Sequence, residues 1–430
     1  MKNTRRLFLK LSGILGLGLM NRVKAFGDTE SKVPLVDQGM RNNYQIPGSK
    51  DSGKSIIGDY GKWANSLLDG KIPSHSYRRD KWESLEDWKN KAIKITEEKL
   101  AAPDLGGTPK VTIDKKYVYD GLSIEEISWV LPTGGRSEGI VLKPANAKGK
   151  LPGIMAFHDH GGWKYFGKRK ITRTRDERHP MMVDHQRMYY EDLAWANEVA
   201  KRGYVVMVPD AFPFASRRVL LKDVPKNLRQ GLNDDNPDLP ENAKAYNNWA
   251  KGQEDTMAKS LFSAGTSWPG VFMAEDQKAL DILCDRNDVQ ADKIGCGGLS
   301  GGGMRTVFSG GLDPRIKCAV CVGFMTTWKD LVLHKSFTHT WMTFAPGLPQ
   351  ALDFPEILGL RVPLPTMVQN SIEDGLYSLV EMQEADKILS SVFEKAGAED
   401  KYKCSFYPGG HQFNKKMQGD AFDWFDRWLK

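Results

Sequence analysis

The feature that most constrains this chain is an alternation of two hydrophobic periods between residues 153 and 430. Short, mainly apolar runs at 153–157, 204–208, 293–297, 318–323, 365–370 and 403–407 have the length of strands. Runs without polar alternation are typical of parallel strands covered on both faces. Between them, 190–202, 272–286, 303–310, 379–396 and 417–429 carry helical spacing, and the last aligns Ala421, Phe422, Phe425, Trp428 and Leu429 on one face. Strand and helix in turn predict an α/β fold with a doubly wound, mostly parallel sheet.

Three β-rich runs precede this region, at 110–118, 122–131 and 139–142, with Thr133-Gly134-Gly135 as a turn. They predict an antiparallel leading meander. Residues 210–269 interrupt the alternation with Pro, Asn, Asp and aromatic side chains; a stretch of that length is expected to form a lid. Upstream, Trp82, Leu85, Trp88, Ala92, Ile93 and Leu100 predict a helix over 80–101 packed on the main domain as an N-terminal extension. The expected organisation is a leader at 1–25, a linker and helical extension at 26–110, and a catalytic domain at 111–430.

The leader corrects the charge balance. The chain holds 61 Lys and Arg against 54 Asp and Glu, a net +7. Lys2, Arg5, Arg6, Lys10, Arg22 and Lys24 all precede residue 26 with no acid among them, so removing them leaves 55 against 54. A near-neutral protein has no electrostatic case for a nucleic-acid partner. Arg5-Arg6-Leu7-Phe8-Leu9-Lys10, the apolar run 11–20 and Val23-Lys24-Ala25 form a twin-arginine export pattern. The apolar run is well short of the ~20 residues that span a bilayer. Export to a periplasm or beyond, without a stable membrane anchor, is expected.

Cys284, Cys296, Cys318, Cys321 and Cys404 make an odd set in the second half, against a complete disulfide framework. Cys318 and Cys321 have redox spacing, but strand alternation places them on opposite faces. Buried thiols are expected, which suits export of an already folded chain.

Gly298-Leu299-Ser300-Gly301-Gly302 is a G-x-S-x-G sequence. Alone it is weak evidence; here a strand enters it and a helix leaves it, the context in which a strained turn lifts a serine hydroxyl clear of the backbone. A serine nucleophile needs a base, and the base an orienting acid. The strand at 365–370 leads into Glu373-Asp374-Gly375, and the strand at 403–407 leads into Gly409-Gly410-His411. Both fall at C-terminal strand ends, where open α/β sheets carry their sites. His411 is the expected base and Asp374 the orienter, preferred over Glu373 because a turn follows the shorter acid. An oxyanion needs two donors. Gly301 is expected to supply one amide, and the loop His158-Asp159-His160-Gly161-Gly162 after the strand at 153–157 the other, from His160, Gly161 or Gly162. His158 and His160 also permit a metal site if His179 or His185 folds back.

These residues resemble the α/β-hydrolase superfamily, in its dienelactone hydrolase and acetyl xylan esterase-like branch. The resemblance is carried by Phe157-His158-Asp159-His160-Gly161-Gly162, Gly203-Tyr204-Val205-Val206, 288–295 running into Gly298-Leu299-Ser300-Gly301-Gly302-Gly303, Asp313-Pro314-Arg315-Ile316 and His411. It covers about 111–430. It implies an α/β-hydrolase fold with Ser300, Asp374 and His411 as nucleophile, acid and base, and no metal or organic cofactor. A dienelactone hydrolase proper uses a cysteine, so Ser300 favours the esterase side.

The expected reaction is acyl transfer from an ester, with an acylated carbohydrate such as acetylated xylan as substrate and water as acceptor. Trp163 and Trp328, with Trp249, Trp268 and Trp341, are candidates for an aromatic wall that binds a sugar ring. Lys164, Lys168, Arg169, Lys170, Arg173, Arg175 and Arg178 are a candidate surface for an acidic polysaccharide, or a solvated loop. An exported peptidase, a metal-dependent hydrolase and a non-catalytic carbohydrate-binding protein are the alternatives.

Overall fold

The computed structural model describes residues 55–68 and 70–430. The twin-arginine leader and nearly all of the expected linker lie outside the described residues. Among the described residues nine strands form one sheet: β1 (Thr112–Tyr119), β2 (Leu122–Val130), β3 (Arg136–Pro144), β4 (Leu151–Phe157), β5 (Val205–Pro209), β6 (Val289–Leu299), β7 (Ile316–Val322), β8 (Thr366–Ser371) and β9 (Tyr402–Tyr407). Their order is β1-β2-β3-β5-β4-β6-β7-β8-β9. The first three are the antiparallel meander, and β3 joins β5 antiparallel. From β5 to β9 every pairing is parallel.

Strand alternation divides the core between two faces. Met155, Phe157, Val205, Met207, Ala319 and Cys321 lie on one, with the helices Trp268–Cys284, Gly301–Leu312 and Leu379–Lys395. Ile154, Ala156, Val206, Val208, Cys318 and Val320 lie on the other, beneath the helices Trp195–Lys201 and Lys415–Leu429. Cys318 and Cys321 therefore face opposite ways, and all five cysteines are free thiols. Burial pushes the Cys296 thiol up to about 12.

The extension contributes the helix Leu85–Leu100, capped by the Ser84 side chain on the Asp87 amide. Its Trp88, Ala92 and Leu100 are buried in the first face of the core, and Trp88 stacks on Tyr77. Ser267 Oγ donates to Leu100 O, joining the end of this helix to the start of Trp268–Cys284. Among the described residues no helix is long and apolar enough to cross a membrane.

Two expectations change in detail. The helix expected at 190–202 is shorter, Trp195–Lys201, and follows a separate helix Pro180–Tyr190 that ends where Glu191 and Asp192 adopt φ of 54° and 64°. The 210–269 insertion contains helices at Pro240–Lys251 and Glu254–Ser263, with Leu221, Tyr246, Trp249 and Ala250 forming a small core of their own.

Candidate active site

The strand order reverses at β4. From there the chain runs to β5 on one side and returns to β6 on the other, so loops leaving the C-terminal ends of β4 and β6 open a crevice between them. Phe157 pairs with Gly298 at that end, which sets the His158–Gly162 loop beside Ser300.

Ser300 follows β6 with φ 59° and ψ −119°, a positive-φ conformation that an L residue holds only under constraint. The turn closes because Gly298 and Gly302 lack side chains: a Cβ on either would collide with the Phe157 carbonyl. Ser300 N donates to Val322 O at 2.9 Å, fixing the turn to the end of β7. The next residue, Gly323, has the His411 ring beside it; a Cβ there would stand 3.3 Å from His411 Cε1. Ser300 and His411 thus converge on consecutive residues of one strand end.

His411 Nδ1 lies 2.6 Å from Asp374 Oδ2, with both side chains nearly buried. The other carboxylate oxygen accepts the Leu376 amide at 3.0 Å. Glu373 is exposed, and its amide donates to Gly409 O. Tyr377 Oη donates to Gly323 O at 3.0 Å, tying the acid's turn to the strand end beside His411.

The loop after β4 is fixed from below. Asp159 is buried, with His185 Nε2 at 3.1 Å and the Tyr190 hydroxyl on the same carboxylate; these contacts and the Lys170 charge hold its carboxyl well below the usual range against the opposing effect of burial. Lys170 Nζ donates to Asp159 O and His160 O. His160 Nε2 faces Glu254 at 3.4 Å, and Lys164 pairs with the same carboxylate. Burial raises the Glu254 pKa, but these two partners outweigh it and hold it at about 2. Among the three candidate oxyanion amides, that of Gly162 donates to His160 Nδ1. The His160 amide nitrogen lies 2.9 Å from where a Cβ on Gly301 would stand.

No family model matches the chain. It is 24% identical over 291 residues to YtaP of Bacillus subtilis (strain 168), a hydrolase by name, across 67% of this chain and 82% of YtaP. A Bacteroides fragilis structure bearing the name of an acetyl xylan esterase superposes with a TM-score of 0.61 at 16% identity over 86% of both chains. A glucuronoyl esterase from Solibacter usitatus gives 0.55 at 12% identity, covering 83% of this chain and 97% of its own. The chain has the α/β-hydrolase fold. The resemblance seen in its motifs holds at that level.

Within the α/β-hydrolase framework one sequence expectation needs correction, and two alternatives that the sequence left open gain no support. Trp328 is 2% exposed and packs edge-on against Phe354 in the core, so it presents no surface to a substrate. Trp249 and Trp268 are likewise buried. Trp163, directly after the β4 loop, is only partly buried, and Trp341 is exposed. The basic run at 164–178 is not a free cationic surface: Lys164 pairs with Glu254, Lys168 with Asp210 and Glu138, Arg169 with Asp238, and Arg173 with Asp176. His158 and His160 both pack on Phe214, while His185 turns to Asp159 and His179 to Asp238 O. Among the described residues no group of three or more His, Cys, Asp or Glu gathers as a metal site would require. Glu254 and Tyr377 carry no sequence signal, and Lys170 stands out only as one member of a basic run, because their contacts cross from separate elements.

Proposed function

We propose that the protein is an exported serine hydrolase that cleaves carboxylic esters, with acyl esters of carbohydrate as its substrates. The reading rests on one observation: a strained Ser300 and a His411 hydrogen-bonded to the buried Asp374 meet at the end of β7. In this reading His411 Nε2 takes the Ser300 proton as Oγ attacks the ester carbonyl, and Asp374 stabilises the imidazolium. The amides of Gly301 and His160 receive the oxyanion, each worth roughly 3 kcal/mol of transition-state stabilisation. His411 returns the proton to the departing alcohol. Water then attacks the acyl-enzyme by the same route and regenerates Ser300.

Carbohydrate as the alcohol partner is supported by the fold shared with a protein named as an acetyl xylan esterase and by the partly exposed Trp163 next to the β4 loop. Export through the twin-arginine route is supported by the leader sequence, and such a location exposes the enzyme to extracellular polysaccharide.

The test is hydrolysis of a short-chain aryl acetate by the mature protein beside Ser300→Ala, with and without chelator. Turnover lost in the mutant and indifferent to chelator is the expected result. Equal rates for the two proteins would remove Ser300 from the reaction, and inhibition by chelator would return the metal-dependent alternative.

A further inference from the structure

Lys170 is fully buried, and among the described residues no carboxylate lies within ion-pair distance of its ammonium. Its neighbours in the same run, Lys164 and Lys168, both have carboxylate partners. Lys170 instead donates to two main-chain carbonyls, Asp159 O at 2.8 Å and His160 O at 2.7 Å, with Nζ 4.5 Å from the centre of the Phe214 ring. A buried cation held only by neutral acceptors is costly. Burial lowers the Lys170 pKa to about 7 despite the favourable charge of Asp159.

The two carbonyls identify what this arrangement does. In a trans peptide the C=O and N–H of one unit point in opposite directions. An ammonium fixed on Asp159 O therefore turns the His160 N–H away from Lys170. That amide has no acceptor among the described residues, and its nitrogen sits beside Gly301, where the first turn of the helix Gly301–Leu312 leaves another amide without an intrahelical partner. A cation on the carbonyl also polarises the peptide and strengthens its N–H as a donor.

We propose that Lys170 is a positioning residue that aims and polarises the His160 amide toward the oxyanion formed on Ser300. The inference rests on the serine-hydrolase reading above. Lys170 touches neither the substrate nor Ser300; its effect passes through one peptide plane and belongs to the transition state rather than to substrate binding.

The experiment compares wild type, Ser300→Ala and Lys170→Met on an aryl acetate, with inhibition by phenylboronic acid as a second readout. In that inhibitor the Ser300 Oγ–boron bond forms, the hydroxyl proton passes to His411, and boron becomes tetrahedral and anionic with nothing leaving. Lys170→Met is expected to lose about 10- to 100-fold in kcat, a fraction of what deleting an oxyanion donor costs, with KM within about twofold. The boronate inhibition constant should rise by a similar factor, which a general loosening of the fold would not select. Unchanged kcat in a folded Lys170→Met, or reduced kcat with unchanged boronate affinity, would overturn the assignment. If the methionine variant does not fold, Lys170→Gln, whose shorter amide reaches one carbonyl, carries the same comparison with a smaller expected loss, and no loss overturns it. Wild type no faster than Ser300→Ala would instead defeat the serine-hydrolase reading itself, and this inference with it.

Discussion

Asp374 Oδ2 and His411 Nδ1 lie 2.6 Å apart across 37 residues of sequence, brought together by the adjacent strands β8 and β9. The second oxygen of Asp374 is engaged by the Leu376 amide, so the carboxylate has one orientation available to the imidazole. Asp374→Asn keeps the shape but presents a group that no longer demands a proton on Nδ1. Ester turnover is expected to fall by about four orders of magnitude with the melting temperature nearly unchanged. Glu373→Gln, on the exposed neighbour, should leave kcat within about twofold, since exposed side chains outside such networks have little effect. Steady-state kinetics on the two variants separate them; a larger loss at Glu373 would reverse the choice of acid.

How much of this arrangement was legible follows from what a one-dimensional pattern can encode. The strands β4 to β9 announced themselves through short, mainly apolar runs, and Ser300, Asp374 and His411 stood out because each follows such a run. Strand order then places strand ends together, and no side-chain detail is needed for that step. Lys170 is different: in sequence it is one cation among several, and its meaning comes from carbonyls ten and eleven residues away. Trp328 failed for the converse reason. A tryptophan near a strand end is read as available surface, whereas Phe344 and Phe354 arrive from a later segment and enclose it.

Arg305 and Asp276 join the helix that follows Ser300 to the helix Trp268–Cys284. The guanidinium donates through Nε at 2.9 Å and through the second nitrogen at 2.5 Å, and both side chains are 2% exposed. The same guanidinium sits 4.6 Å from the centre of the Phe157 ring, at the end of β4. Arg305→Met would strand a buried carboxylate, whose pKa burial already raises. A loss of about 3–5 kcal/mol in denaturant unfolding is expected. Adding Asp276→Leu should recover most of it, because an apolar pair of similar volume removes the unpaired charge. A double variant as unstable as the single one would show that packing, not charge, dominates at this contact.

Trp163 follows the β4 loop, and its amide donates to His160 O at 3.2 Å. Its ring packs partly on the small cluster of Phe166, Met182 and Ala243. If the free part of the ring carries a sugar, Trp163→Ala should raise KM for an acetylated xylo-oligosaccharide about two- to tenfold, the range of one aromatic contact. The kcat for an aryl acetate should change less than about threefold, because the amide that donates to His160 O remains. Equal losses on both substrates would mark the ring as support for the loop rather than as a sugar platform.

His339 provides a pH test with a definite sign. Its ring lies 4.9 Å from Tyr377 and 5.5 Å from Phe324, and its Nδ1 faces Thr338 Oγ1 and Lys335 O. Burial first, with the charges of His411 and Lys335, lowers its pKa to about 4, against the raising effects of the Lys335 carbonyl and Asp374. Between about pH 6.5 and 4 the unfolded chain therefore holds a proton there that the folded chain does not. Its contribution is a loss of stability as pH falls through that window. Asp353 acts oppositely: burial raises its carboxyl to about 6, so folding gains from its protonation as pH falls below that value. The comparison must accordingly be between variants. Melting temperatures measured from pH 7 to 4.5 should fall less steeply for His339→Gln than for wild type, while Asp353→Asn should fall more steeply. Parallel curves for His339→Gln and wild type would mean that this imidazole titrates alike in the folded and unfolded chain.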